Sequence, residues 1–485
     1  MTMRARGLVV LLAGTLGCGA CGAPTSADAG RADSGRDGGR DGGPPLVLPS
    51  VRRFTVPPCE GWPPQEAVPV PEPRPWSVVW SAPVPLASDP VWRERTDFVA
   101  PSGQGGSLSA LTRDRFYVPI ADVGGVTAFS MADGALLWGR ELPGGRGDWD
   151  DPTDDEGILG PLVATPDGGV LVHSTLDKLY AYDRDGGAAF VVDGGVARPD
   201  PSLHSLGPRV ALGPGGLIFW SPAGRSSVLA VNRCGQTVWR AEWPAGLTYQ
   251  DRFPYVDAAG SLLVVATLTA VYRLAPDGSS VDVAFDNATA GLQHISVDAV
   301  LNDGSLHIWN IFRGDFIDRA MGTRTGEILG EIRYPQENTV RVTPLDPFGQ
   351  LAWRTWLEGE TRINRGYWIR PGVEIAFDFP AGIPVFLSSR RGVANLSGGL
   401  VLVVPTMGAV DGVVLLSPDG SVERQLPDEP VGGEARLLPD GRLVTSIREG
   451  FGLIQTDVSP APGWSHWWAN AWNSSSLAVC PGCVE

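Results

Sequence analysis

The chain has 485 residues, 43% of them hydrophobic, with 63 glycines, 43 prolines and a formal net charge of −16. That balance excludes a nucleic-acid ligand, which needs clustered Lys and Arg to displace counterions. Lys178 is the single lysine, and the arginines are scattered among carboxylates.

In chain order, the first element is a targeting signal. Residues 1–6 carry two arginines, residues 7–16 are almost wholly apolar, and Gly17-Cys18-Gly19-Ala20-Cys21 comes at once after them. The apolar run is too short to span a bilayer. A small residue before a cysteine resembles a bacterial lipoprotein cleavage site, so residues 1–21 are expected to act as a lipoprotein-type signal peptide. Cys18 is the expected lipidated residue, because cleavage falls straight after the apolar run, and Cys21 is the alternative. An ordinary secretory signal is the competing reading. Either way the expected place is the bacterial cell envelope, lipid-anchored at the outer membrane, or outside the cell.

Residues 22–75 are expected to form a disordered tether. Residues 23–45 are Gly, Asp, Arg, Ala, Ser, Thr and Pro, with no large apolar side chain to offset the entropy of ordering. Their Asp-Gly-Gly period of four does not fit the nine-residue period of calcium-binding β-helices. Residues 57–75 then turn proline-rich. A tether of about 30 residues holds the rest of the chain on the order of 30 Å from an anchor.

From residue 76 to 468 a β-rich pattern returns about every 40 residues. One copy runs from Val126 through Asp133-Gly134 to Trp138, and another from Val228 through Cys234-Gly235 to Trp239. Weaker copies cover residues 176–187, 270–279, 321–330 and 413–422. Pro/Asp/Gly turns at 165–169, 257–261 and 438–442 each feed a further apolar strand. Gly at these turns supplies the positive φ of tight hairpins, and two hairpins per period make a four-stranded blade. The expected fold is all-β, a single β-propeller of eight four-stranded blades. Seven is the alternative, because residues 339–382 fit the pattern poorly. Residues 77–86, around Trp80, match the last strand of a repeat with nothing before them to supply the other three. They are expected to complete the last blade and so remove its exposed edge.

These units resemble the pyrroloquinoline-quinone-type (PQQ-like) propeller repeat, a strand ending in Ala-x-Asp, a Thr-Gly turn and then a Trp. Trp138 and Trp239 keep the Trp and Thr325-Gly326 keeps the Thr-Gly. The resemblance implies a propeller and two classes of function. One is a non-catalytic lipoprotein that binds another envelope protein, as in the propeller scaffold of outer-membrane barrel assembly. The other is a quinoprotein-like dehydrogenase holding pyrroloquinoline quinone and calcium. Those dehydrogenases carry adjacent cysteines against the quinone, and this chain has no Cys-Cys pair. The scaffold reading, with no enzymatic activity and no cofactor, is favoured. A surface carbohydrate-binding protein is the third reading, resting on the Trp-rich stretch 464–472, which is otherwise a closing flap.

Candidate sites are few. In an exported chain Cys59, Cys480 and Cys483 are expected to form disulfides, since closure would bring the start and end of the propeller together, leaving Cys234 free. Cys480 and Cys483 lie in a C-terminal tail, residues 469–485. Asp148, Asp150, Asp151, Asp154, Asp155 and Glu156 gather between the first two blades. They form either a solvated acidic loop or a calcium site. The five histidines are far apart in sequence and are expected to be structural.

Overall fold

The structure is a computed structural model, and it describes residues 47–65, 68–83, 109–120, 124–144, 156–158, 160–195, 209–222, 227–244, 252–266, 270–286, most strand residues from 296 to 461, and Ser476, Ala478 and Val479. All belong to one compact unit, Leu46–Glu485.

The strands form eight antiparallel sheets, six of them built from four consecutive strands and two of them joined by a strand from the N-terminal segment. Two strands precede them in the chain, β1 (Ser50–Arg53) and β2 (Ser77–Pro83). The first sheet holds β3 (Ala110–Leu111), β4 (Arg115–Ile120), β5 (Gly125–Ser130) and β6 (Leu136–Glu141). The second holds β7 (Val163–Ala164), β8 (Val170–His173), β9 (Lys178–Tyr182) and β10 (Ala188–Asp193). The third has β11 (Val210–Leu212), β12 (Leu217–Trp220), β13 (Ser227–Asn232) and β14 (Thr237–Glu242). The fourth has β15 (Arg252–Val256), β16 (Leu262–Ala266), β17 (Ala270–Leu274) and β18 (Val281–Asp286). The fifth runs through β19 (Ser296–Val300), β20 (Ser305–Phe312), β21 (Asp315–Gly322) and β22 (Ile328–Tyr334). The sixth runs through β23 (Thr339–Leu345), β24 (Gly349–Glu358), β25 (Thr361–Arg370) and β26 (Val373–Asp378), and the seventh through β27 (Val393–Asn395), β28 (Val401–Val403), β29 (Val413–Leu416) and β30 (Val422–Gln425). The eighth, β31 (Val431–Leu437), β32 (Arg442–Ile447) and β33 (Gly450–Gln455), takes β2 as its fourth strand.

The fold is a β-propeller. First strands of neighbouring sheets lie beside one another, β3 with β7, β11 with β15 and β27 with β31, so these line the centre. The stretch from residue 339 that fits the repeat poorly forms a four-stranded sheet like the others.

One contact repeats between neighbouring sheets. Trp138 on β6 lies against Gly186 in the β9–β10 turn, where an added Cβ would sit 2.7 Å from the indole, and its Nε1 donates to the Arg184 carbonyl at 3.0 Å. Trp239 on β14 does the same to Gly278 in the next sheet, donating to Pro276 at 2.8 Å. Phe190 on β10 occupies the equivalent place over Gly235. Trp80 on β2 covers Gly134 of the first sheet and donates to Met131 at 3.0 Å. The last sheet therefore docks on the first through the strand the N-terminus supplies. Gly186 and Gly278 hold φ of +80° and +69°, so glycine meets both the turn's backbone and the ring above it.

A β-bulge sits just ahead of each of these aromatics, between Val78 and Trp80 and between Ala188 and Phe190, with matching register shifts opposite Trp138 and Trp239. The bulge turns the aromatic inward and leaves its neighbour outside, which is why Val79 and Leu137 are exposed. At the turns themselves Asp or Asn caps the strand end. The Oδ1 of Asp183 accepts from the amides of Asp185 and Gly187, and that of Asn232 from Cys234 and Gln236.

The region before the propeller departs from expectation. Residues 47–75 were expected to belong to a disordered tether, but β1 pairs antiparallel with β14, Ser50 opposite Glu242 and Arg53 opposite Trp239, as a fifth strand of the third sheet. Val51 packs on the core formed by Trp239, Trp243 and Tyr272. The four residues Ser50–Arg53 interrupt the Gly/Pro composition with a β-branched side chain and no breaker, which suffices where an open edge is on offer.

Candidate functional site

The antiparallel meander gives each sheet two unlike ends. At one end lie the tight turns between first and second and between third and fourth strands. At the other lie the second-to-third turns and the connections from one sheet to the next.

The tight-turn end is crossed by both terminal segments. After β1, Phe54 N–H donates to the Val238 carbonyl at 2.8 Å, and the chain reaches the β13–β14 turn, where Cys59 is bonded to Cys234. Trp62 Nε1 donates to the Gly213 carbonyl at 2.9 Å, and Gly61 packs on Gly215 and Gly216 of the β11–β12 turn. Arg233 clamps the crossing, donating to the Gly61 carbonyl at 2.7 Å and pairing with Asp167 of the second sheet at 3.1 Å. Pro71 then lies over Gly441 of the last sheet, and Trp76 Nε1 donates to Asp457 Oδ1 at 2.6 Å just before β2 begins. From the other terminus, Ser476 bridges Val256 at the end of β15 in parallel, and Ala478 and Val479 join the core shared by the second and third sheets.

The disulfide corrects the expected pairing. Cys59 is bonded to Cys234, not to Cys480 or Cys483, and Cys234 is not free. The physical reason is β1: by pairing with β14 it delivers the chain to the β13–β14 turn before it can cross to the last sheet. Cys480 and Cys483 lie outside the described residues, as do Cys18, Cys21 and residues 464–472.

The connection end is described best where the first sheet hands over to the second. Glu156 is 1% exposed, and its carboxylate accepts from Ser174 Oγ at 2.6 Å, from Tyr180 OH at 2.8 and 2.9 Å and from the Gly144 amide at 3.1 Å. Its own amide donates to the Gly144 carbonyl at 2.8 Å. A buried carboxylate costs free energy unless its lone pairs are filled, and here neutral donors fill them. Burial first, and Glu156 second, push the Tyr180 phenol well above its usual range and that of Tyr182 up to about 12. Both phenols therefore stay protonated donors across the physiological range.

Of the acidic cluster read as either a solvated loop or a calcium site, Glu156 is buried rather than solvated. It ties the two ends of the 145–155 connection together at Gly144 and pins them to β8 and β9, with both oxygens already engaged. Asp148, Asp150, Asp151, Asp154 and Asp155 lie outside the described residues. Beside this neck, His173 Nε2 meets Asp177 Oδ1 at 3.3 Å, both buried, with the imidazole edge-on to Trp220 at 5.6 Å. His173 is thus held inside the packing of the second and third sheets, as expected of a structural histidine. Sequence reasoning missed this neck because Glu156 reads as the end of an acidic run, while its donors Ser174 and Tyr180 stand a strand away.

No family model and no curated protein sequence matches the chain. Among solved structures it is similar to BamB from Moraxella catarrhalis, at 13% identity over 78% of this chain and 97% of that one, with a TM-score of 0.43. It is similar to the Dos1 propeller at 10% identity over 74% and 93%, with a TM-score of 0.48. It is also similar to the quinohemoprotein alcohol dehydrogenase ADHIIG from Pseudomonas putida, at 11% identity over 78% and 72%, with a TM-score of 0.45.

Proposed function

We propose that the chain is an envelope-anchored, non-catalytic propeller that binds another envelope protein through its connection end, with lipidation at Cys18 or Cys21 as the anchor. The observation that carries this is the inequality of the two ends. The tight-turn end is occupied by the chain's own residues 54–65, 68–76, 476, 478 and 479, whereas the strands flanking the connections 84–109, 142–162 and 194–209 hand over at the opposite end. Long connections on a rigid scaffold are where partners are met.

The lone lysine makes the experiment direct. Lys178 opens β9 at the connection end, so an amine-reactive cross-linker applied to intact envelopes couples the chain there or at its α-amine. The expected result is a cross-linked partner that disappears with Lys178→Arg and does not return when Asp133→Lys places the amine at the tight-turn end of that variant. Cross-links through the Asp133→Lys amine, and none through Lys178, would overturn the assignment of the face. Anchoring is tested separately: replacing Cys18 and Cys21 with Ser is expected to release the chain from the membrane fraction.

A further inference from the structure

The N-terminal segment is held in two ways. Its second half enters the fold: β2 supplies seven residues to the last sheet, and Trp80 is buried beneath the first. Its first half lies on the surface. Arg52, Arg53, Phe54, Thr55, Pro57 and Pro58 are exposed, and β1 offers four residues to an edge that is already a complete four-stranded sheet. Among the described residues, this half is fixed by the four-residue pairing of β1 with β14, by Val51 on the core, by the Phe54 N–H bond to Val238 and by the Trp62 and Arg233 contacts, and the Cys59–Cys234 bond is the covalent tie among them. Cys234 stands exposed at the tip of the β13–β14 turn, open to an attacking thiol.

We propose that the Cys59–Cys234 disulfide is a redox lock on this strap. A dithiol reductant attacks the exposed Cys234 sulfur with one thiolate, expelling the Cys59 thiolate and leaving a mixed disulfide at Cys234. The reductant's second thiolate then displaces Cys234. Two electrons and two protons pass to the protein, both cysteines become thiols, and the reductant leaves as its own disulfide. With the bond open, residues 47–65 leave the third sheet while β2 stays in the last. The β14 edge is uncovered for a pairing strand. If the chain is anchored at Cys18, the consequence is reach. The chain between Cys18 and its first hold on the propeller then runs to about residue 70, where Pro71 lies on the last sheet, instead of 46, lengthening the span from about 30 Å to about 40 Å by random-coil scaling.

The test is amide hydrogen exchange on the detergent-solubilised full chain, with and without dithiothreitol as the probe, monitored at residues 50–54 and 77–83. Reduction is expected to speed exchange at 50–54 by tenfold or more and at 77–83 by less than twofold. The paired Cys59→Ser, Cys234→Ser chain should show the same pattern with no reductant. Unchanged protection at 50–54 in reduced protein would overturn the lock. So would protection lost together at 50–54, 77–83 and the sheet cores, which would make the bond a staple of the whole fold. These readings do not depend on lipidation. Membrane association that survives Cys18→Ser, Cys21→Ser would sink the anchoring claim and leave the lock standing.

Discussion

β1 and β2 are both N-terminal strands laid on the outer edge of a sheet, yet they do different work. β2 fills the fourth place in a sheet that has three strands without it, carries a bulge that aims Trp80 inward, and joins the last sheet to the first through Gly134. β1 is a fifth strand on a sheet already complete, and Val51 is its one side chain packed on the core. Strand pairing alone does not make a segment part of a fold. What matters is whether its side chains fill space that nothing else fills.

Substitutions can test that distinction. The largest expected effect is Trp80→Ala, which empties an aromatic site between two sheets and removes a donor to Met131. A loss of about 3–5 kcal/mol is expected in denaturant unfolding. Next is Gly134→Ala, which places a Cβ 2.7 Å from the Trp80 ring at a φ of +72°, so about 1–3 kcal/mol is expected. Because both remove the same contact, Trp80→Ala with Gly134→Ala should cost less than the sum of the two. The smallest is Val51→Ala on β1, at about 0.5–1 kcal/mol or less. A Val51→Ala cost equal to that of Trp80→Ala would erase the contrast.

Much of the propeller was legible because its inter-sheet contact is written locally. An Asp-Gly or Cys-Gly turn with an aromatic a few residues beyond it appears in the best-read copies, and each half of the contact repeats with the period. The orphan Trp80 strand showed where the chain must return for the same reason. Residues 339–382 were hard to read because this Gly-aromatic pairing is weak there, although long strands such as Gly349–Glu358 and Thr361–Arg370 still build a sheet. The strap was not legible. Its strand is four residues long amid prolines, and its cysteine partner lies 175 residues away in a turn, a pairing that spacing cannot select among the candidates. The Glu156 neck was hidden likewise, since an acidic run gives no hint that its final carboxylate turns inward to meet Tyr180.

The measurement that bears most directly on the contrast between the two strands is calorimetry of two truncated chains, one beginning at residue 57 and the other at residue 91. The first loses β1 and keeps β2, and it should unfold in one cooperative transition within about 5 °C of the full chain. The second loses both strands, exposes β33 along its length and leaves Gly134 uncovered, so aggregation or loss of the cooperative transition is expected. A chain beginning at residue 91 that stays monomeric and melts where the full chain does would contradict the closing role of β2.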